Sequence, residues 1–144
     1  MIVKQIYTQC LAQASYYIES DGESVVIDPI RDIDSYVNLL DINNSKLKFI
    51  LETHFHADFI SGHLELNKKY GVPIIFGDKA EPAYDFLGKK DGEIIGVGKV
   101  KIKIIHTPGH TLESVCYLLI DENGNDHALF TGDTLFIGDV GIPD

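Results

Sequence analysis

Three short segments of the chain contain the side chains that divalent metals prefer as ligands. They read THFHADF, HTPGHT and TGDT, and they occur in that order along the sequence. The candidate donors are three imidazoles and two carboxylates: His54, His56, Asp58, His110 and Asp133. First-row divalent metals bind neutral imidazole and ionised carboxylate, and the number and geometry of the ligands select the metal.

Each of these donor segments follows an apolar run that is typical of a buried strand. The runs cover residues 48–51, 100–105 and 128–130. In the second and third segments a glycine, Gly109 or Gly132, favours a turn that can present the next side chain inward. Three donor-bearing loops that leave three strand ends predict one shared metal site, and a metal site of this kind predicts an enzyme.

Other histidines and the two aspartates also have structural interpretations. His63 and His127 are expected to be surface residues or core residues with satisfied hydrogen bonds. His106 ends a predicted strand, which favours packing or the support of a ligand over direct metal binding. Asp58 can cap a helix that begins near residue 61, and Asp133 can form a turn.

Composition limits the classes of partner. The chain has 144 residues, of which 12 are Lys or Arg and 22 are Asp or Glu, for a formal charge of −10. Nucleic acids and anionic membrane surfaces require basic patches, so neither is expected as a partner. No apolar run approaches the roughly 20 residues that span a bilayer. Cys10 and Cys116 belong to no CxxC pair, which favours free thiols and a cytoplasmic location.

The pattern of the whole chain predicts an α+β fold with a mixed or antiparallel sheet. Helices are predicted from Asp32 or Asp34 to about Asn44 and over residues 63–70, with a further helical turn at 81–87. Strands are predicted at 2–8, 15–19, 24–28, 47–51, 73–76, 93–97, 100–105, 114–120 and 128–130. Residues 138–144 look like a loop that no strand or helix follows. We therefore expect a single domain over residues 1–144 that is incomplete at its C-terminal end.

The HxHxD, HTPGHT and TGDTLF motifs resemble those of the metallo-β-lactamase fold superfamily, and the resemblance covers the chain from its first strand to its last residue. It implies an αββα sandwich with a metal site at one edge of the paired sheets. This chain would contain only the N-terminal half to two-thirds of that sandwich. The longer strings THFHADFISGH and GDTLFIGDVG are most similar to the persulfide dioxygenase branch, in which some bacterial members are fused to rhodanese domains.

That resemblance implies a mononuclear Fe(II) site with His54, His110 and Asp133 as ligands. His56 and Asp58 would orient ligands or water as catalytic residues, and His56 would bind directly if Zn(II) occupied the site. The implied reaction is oxidation of glutathione persulfide by O₂ and water to sulfite and free thiol. No separate organic cofactor is implied, and a rhodanese protein is the expected partner.

Phe59 separates this chain from the zinc hydrolases of the superfamily, which carry HxHxDH and bind a second metal. A phenyl ring has no lone pair for a metal, so a second site would lack a ligand. The alternative function is still a zinc-dependent thioester hydrolase of the glyoxalase II kind, and a third is a fragment without turnover that has a structural role. Ile142 also stands where the family usually has Arg. Uncovered sheet surface predicts a homo-oligomer.

Overall fold

The computed structural model describes residues 1–7, 14–53, 62–77, 86–107, 115–131 and 135–137. Within these ranges the chain forms two β-sheets and two helices. The first sheet contains β1 (Ile2–Tyr7), β2 (Ala14–Ser20), β3 (Glu23–Ile27), β4 (Lys46–Leu51), β5 (Ile74–Gly77) and β6 (Leu87–Lys89). The second contains β7 (Ile94–Val97), β8 (Val100–His106), β9 (Val115–Ile120), β10 (Asp126–Phe130) and β11 (Leu135–Ile137). The helices are α1 (Asp34–Asn43) and α2 (His63–Tyr70).

The first sheet is mixed, and its strands follow one another in chain order. β1, β2 and β3 pair antiparallel, whereas β3, β4, β5 and β6 pair parallel. Parallel neighbours need crossover connections, and α1 and α2 occur in the chain between successive parallel strands. The carboxyl ends of β3, β4 and β5 therefore lie at the same edge of the sheet.

The second sheet is antiparallel, with the order β11-β10-β9-β8-β7. His106 at the end of β8 pairs with Val115 at the start of β9. Phe130 at the end of β10 pairs with Tyr117, two residues into β9. The ends of β8 and β10 and the start of β9 consequently share one edge.

The core lies in two layers, because successive strand residues point to opposite faces. Between the sheets pack residues such as Tyr16, Ile27, Leu51, Ile104, Tyr117 and Phe130. On the other face of the first sheet, strand residues pack against both helices: Tyr17, Val26, Ile50, Ile74 and Phe76 meet Tyr36, Leu40 and Leu66. Helices, first sheet and second sheet thus form successive layers, and the predicted α+β sandwich is confirmed.

Most predicted elements lie close to their observed bounds. The hairpin turn contains Asp21 and Gly22, both at positive φ, and helix α2 ends at Gly71 with φ of 67°. The N-cap position of α1 is Ile33 rather than either predicted aspartate, although the Asp32 carboxylate accepts the N–H of Asp34, the first residue of the helix, at 3.0 Å.

The predicted helical turn at 81–87 lies mostly outside the described residues, and its final residue, Leu87, begins strand β6 instead. In the described parts of the chain, no helix has the length and apolar character needed to cross a bilayer.

Candidate metal centre

The five predicted donors all lie outside the described residues, so their assignment stays a prediction: His54, His56, Asp58, His110 and Asp133. Within the described ranges, no three His, Cys, Asp or Glu side chains are grouped as a metal site. The structure does describe the strand ends from which the donor segments leave. The geometry of these strand ends determines where the donor segments begin.

A hydrogen bond between the sheets brings these strand ends together. The Val115 N–H, at the start of β9, donates to the Thr53 carbonyl at 2.7 Å, just beyond the end of β4. The Tyr117 hydroxyl donates to the Glu52 carbonyl at 2.6 Å. Since β9 also lies beside the ends of β8 and β10, the three donor segments begin at one edge of the sandwich.

Asp28 holds the start of the first donor segment. Its buried carboxylate accepts the Thr53 backbone N–H at 2.8 Å and the Thr53 hydroxyl at 2.6 Å. Asp28 has φ of 50°, a left-handed conformation that aspartate adopts more readily than most residues. Its own N–H donates to the Leu51 carbonyl at 2.8 Å. The backbone at Thr53, directly before His54, is therefore fixed from two sides.

Gly62, the residue that follows the segment 54–61, contacts the residues that follow Asp28. The Gly62 N–H donates to the Pro29 carbonyl at 3.0 Å. A Cβ atom at Gly62 would lie 2.2 Å from the Ile30 carbonyl oxygen and 2.7 Å from a methyl carbon of Ile33. This approach requires glycine, and it sets the position at which α2 begins. The turn 28–30 therefore contacts Thr53 and Gly62, the two residues that flank the segment 54–61.

Glu52 and His63 form a second link across the same segment. Their side chains are 0% and 2% exposed, and Nδ1 of His63 lies 2.9 Å from Oε1 of Glu52. The expectation that His63 is a core residue with a partner agrees with this geometry.

Tyr36 supports the turn 28–30 from helix α1. Its hydroxyl accepts the Ile30 N–H at 2.8 Å and donates to Ser15 Oγ at 2.7 Å. Ser15 in turn donates to the Ile27 carbonyl at 2.9 Å. Burial raises the pKa of Tyr36 to about 12, so the phenol stays neutral and able to donate at neutral pH.

His106 and His127 lie in different surroundings. Nε2 of His106 lies 3.0 Å from the Lys89 carbonyl, and its backbone N–H donates to Asp91 at 2.8 Å, which suits the predicted packing role. His127 lines a cavity of about 390 Å³ together with Ser20, Lys99 and Asp121. This cavity lies at the edge where β2 and β9 end, opposite the strand ends that carry the donor segments.

Sequence reasoning missed Asp28, Glu52 and Tyr117, whose contacts fix the first donor segment. Two of them carried a usable signal. Asp28 is an acidic residue before proline at the end of an apolar strand, and Glu52 follows another such strand directly before the donors. Tyr117 lies within an apolar strand, and no neighbouring residue in the sequence distinguishes it.

Comparisons with known proteins agree with this fold. The model of the metallo-beta-lactamase superfamily matches residues 8–144. The chain is 39% identical over 127 residues to a hydroxyacylglutathione hydrolase from Pelagibacter ubique, covering 85% of this chain and 51% of that protein. The chain spans about half the length of the curated relatives it matches.

Solved structures show the same relationship. A metallo-beta-lactamase from Staphylococcus aureus has a TM-score of 0.83 at 39% identity, covering 100% of this chain and 46% of its own. ETHE1 from Myxococcus xanthus has a TM-score of 0.75 at 24% identity, covering 99% and 59%, and therefore shows likeness of fold alone. With a family match over nearly its whole length, the chain belongs to the metallo-beta-lactamase superfamily.

Proposed function

We propose that this chain provides the metal-binding half of an enzyme that hydrolyses a glutathione thioester. The observation that carries the proposal is the 39% identity to a hydroxyacylglutathione hydrolase over 85% of the chain. The sequence left this reaction as the alternative to persulfide oxidation, and the curated relatives favour the alternative. Because the chain spans about half of those relatives, the substrate and the activity are both proposals.

The proposed metal ligands are His54, His110 and Asp133. Two imidazoles and a carboxylate suit zinc as well as iron. The hydrogen bond between Val115 and Thr53 supports this ligand set, because it joins the strand ends from which the ligand segments leave. A bound zinc ion would supply a water of lowered pKa and an electrophile for the thioester carbonyl.

The chain's own residues would then hold and orient the reacting groups. Asp28 and Tyr117 fix the backbone ahead of His54 through hydrogen bonds to Thr53 and Glu52. We propose that His56 and Asp58 accept hydrogen bonds from water or from ligand side chains and so set their orientation.

A second candidate is the persulfide dioxygenase activity, and Phe59 is the observation that favours it. The zinc hydrolases typically have histidine at this position, and phenylalanine cannot replace it as a ligand. A single ion held by two histidines and a carboxylate is the arrangement of non-haem Fe(II) oxygenases. Fe(II) would then take the place of Zn(II), and the reaction would consume O₂ as well as water.

One experiment separates the two candidates. Metal-free protein is loaded anaerobically with Zn(II) or with Fe(II), and each form is given S-lactoylglutathione and glutathione persulfide. Zinc-dependent release of glutathione without O₂ uptake supports the hydrolase. Iron-dependent O₂ uptake with sulfite formation supports the dioxygenase and overturns the first proposal. A chain that binds metal but shows neither reaction contradicts both proposals and favours the third interpretation, a fragment with a structural role.

His110→Ala protein, treated in the same way, is the control for activity from free metal. Assembly into a homo-oligomer and pairing with a rhodanese protein stay predictions, which light scattering and co-purification can test.

A further inference from the structure

The turn between β9 and β10 contains the one Asn-Gly pair in the sequence, Asn123 and Gly124. Both residues are exposed. The backbone nitrogen that follows an asparagine can attack the side-chain amide carbon and close a five-membered succinimide ring. Glycine in that following position has no Cβ to obstruct the approach. The pair therefore combines an accessible amide with an unhindered backbone nitrogen.

The fold requires glycine at the second position of this pair. Residues 122–124 form a loop of three residues, in which the Asp121 N–H donates to the Asn125 carbonyl at 2.8 Å and the Gly124 N–H donates to the Asp121 carbonyl at 3.0 Å. Loops of this length commonly end on a left-handed residue, and Gly124 has φ of 85°. The reactive pair is therefore a consequence of the turn that joins the two strands.

The Asp121 side chain holds this loop closed. Its Oδ1 accepts the backbone N–H of Asn123 and that of Asn125, both at 2.9 Å. While the Gly124 N–H points at the Asp121 carbonyl, its nitrogen is directed away from the Asn123 amide carbon. The attack requires these hydrogen bonds to open, and a short exposed turn opens at low cost in free energy. Asp121 thus controls how often the reactive arrangement forms.

We propose that Asn123 is a site of spontaneous deamidation in the folded protein, at a rate set by the opening of the loop that Asp121 closes. The Gly124 nitrogen gives up its proton and forms a bond to Cγ of Asn123, and the side-chain nitrogen leaves as ammonia. Water then adds to either carbonyl of the succinimide and opens the ring. The product is an aspartate or an isoaspartate at position 123, and nothing is oxidised or reduced.

The two products affect the loop differently. Aspartate keeps the length of the backbone and adds one negative charge beside Asp121 and Glu122, which line the same cavity as Asn123. Isoaspartate routes the main chain through the side-chain carbons, so the loop gains one backbone atom. The hydrogen bonds that join Asp121 to Gly124 and Asn125 no longer fit that longer loop. We therefore expect the isoaspartate form to unfold at a lower temperature than the aspartate form.

Incubation of the folded protein at neutral pH tests the proposal. Tandem mass spectrometry follows the mass gain at each asparagine that comes from replacing an amide by a carboxyl group. Asn123 should gain this mass before Asn125, an equally exposed asparagine of the same turn whose following residue, Asp126, has a Cβ. Asn123→Gln should abolish the signal at this position, because the longer side chain would have to close a six-membered ring.

Two variants of Asp121 test the control by the loop. Asp121→Ala removes the acceptor of two N–H groups, and it should raise the rate at Asn123 at least about fivefold, the factor for the loss of one net hydrogen bond. Asp121→Asn is the matched control, because it removes the same charge but keeps an accepting oxygen, and its rate should stay close to that of the parent.

A comparison in urea needs no variant. Deamidation of Asn123 should be faster in the unfolded chain than in the folded protein, because the loop is then open. If the folded protein gains no mass at residue 123 while the chain in urea does, the proposal is overturned. Equal rates in the parent and in Asp121→Ala, or in the folded protein and in urea, overturn the control by the loop.

Discussion

The carboxylate of Asp28 accepts two hydrogen bonds from the single residue Thr53, at 2.8 Å from the backbone N–H and 2.6 Å from the hydroxyl. Both residues are buried, with 1% of each exposed. Because the two bonds use both carboxylate oxygens, Thr53 can neither rotate nor shift along its strand without losing one. The next residue in the chain is His54, the first predicted metal ligand.

Asp28→Asn should therefore destabilise the protein although the side chain keeps its size. An amide has one accepting oxygen, so one of the two Thr53 donors would face an NH₂ group. We expect the free energy of unfolding to fall by about 1–3 kcal/mol, the cost of a buried donor left without an acceptor. Urea denaturation measures the change. Asp32→Asn, where the exposed carboxylate accepts the Asp34 N–H, should stay within about 0.5 kcal/mol of the parent.

Gly62→Ala should destabilise the protein more than the addition of one methyl group suggests. The new methyl group would lie 2.2 Å from the Ile30 carbonyl oxygen, a backbone atom that cannot move without shifting the turn. We expect a loss of about 1–3 kcal/mol, which is typical of overpacking. Gly96→Ala is the control, because a Cβ there would meet nothing within 4 Å. Equal midpoints of thermal unfolding for Gly62→Ala and Gly96→Ala would show that the start of α2 does not pack closely against the turn 28–30.

Stability should also decline at high pH because of Tyr36. Burial raises the pKa of its phenol from 10.0 to about 12, so the unfolded chain releases this proton at lower pH than the folded chain. The stabilisation is therefore complete below pH 10 and is lost as the pH rises toward 12. A difference of about two units between the pKa values in the folded and unfolded states corresponds to about 3 kcal/mol in the free energy of unfolding.

Urea denaturation at a series of pH values measures this decline, and Tyr36→Phe shows how much of it belongs to Tyr36. In the variant the decline should be shallower by up to about 1.4 kcal/mol per pH unit. Some decline should remain, since burial also raises the pKa values of Tyr17 and Tyr117. An unchanged slope would mean that Tyr36 ionises near pH 10 in the folded protein.

The proposed metal site predicts one ion per chain. After loading with zinc and removal of excess metal, elemental analysis should give a ratio near one for the parent protein. His54→Ala and His110→Ala should each lose tight binding, because a two-ligand remainder cannot hold the ion. His127→Ala, a change at the opposite edge of the sandwich, should keep it. A parent ratio near two would contradict the argument from Phe59.

The features that local sequence determines were the ones that could be predicted. Asp21 and Gly22 mark a hairpin because both adopt positive φ there, and Gly71 ends α2 for the same reason. Apolar runs bounded by turn residues located nine of the eleven strands in the described residues, and β6 and β11 were not predicted. β6 was missed because Leu87, Gly88 and Lys89 show neither alternation nor β-branched residues, and only pairing with β5 makes them a strand.

Contacts between distant residues could not be predicted from the same patterns. Nothing in the sequence near Val115 indicates that its N–H reaches Thr53 in the other sheet. Similarly, the pairing of Glu52 with His63 depends on where α2 packs, which the sequence does not state. The residue types of the candidate metal ligands could be read from the sequence. The residues that hold the donor segments in place could be identified only from the fold.

The antiparallel course of β9 has a practical consequence. Val115 begins the strand beside Thr53, and the strand ends at Ile120, followed by the exposed turn at 121–125. The six extended residues of β9 place that turn about 17 Å from the edge of the sandwich at which the predicted donor segments begin. A fluorescent label or affinity tag inserted beside Gly124 would therefore lie far from the proposed metal site and would not block it.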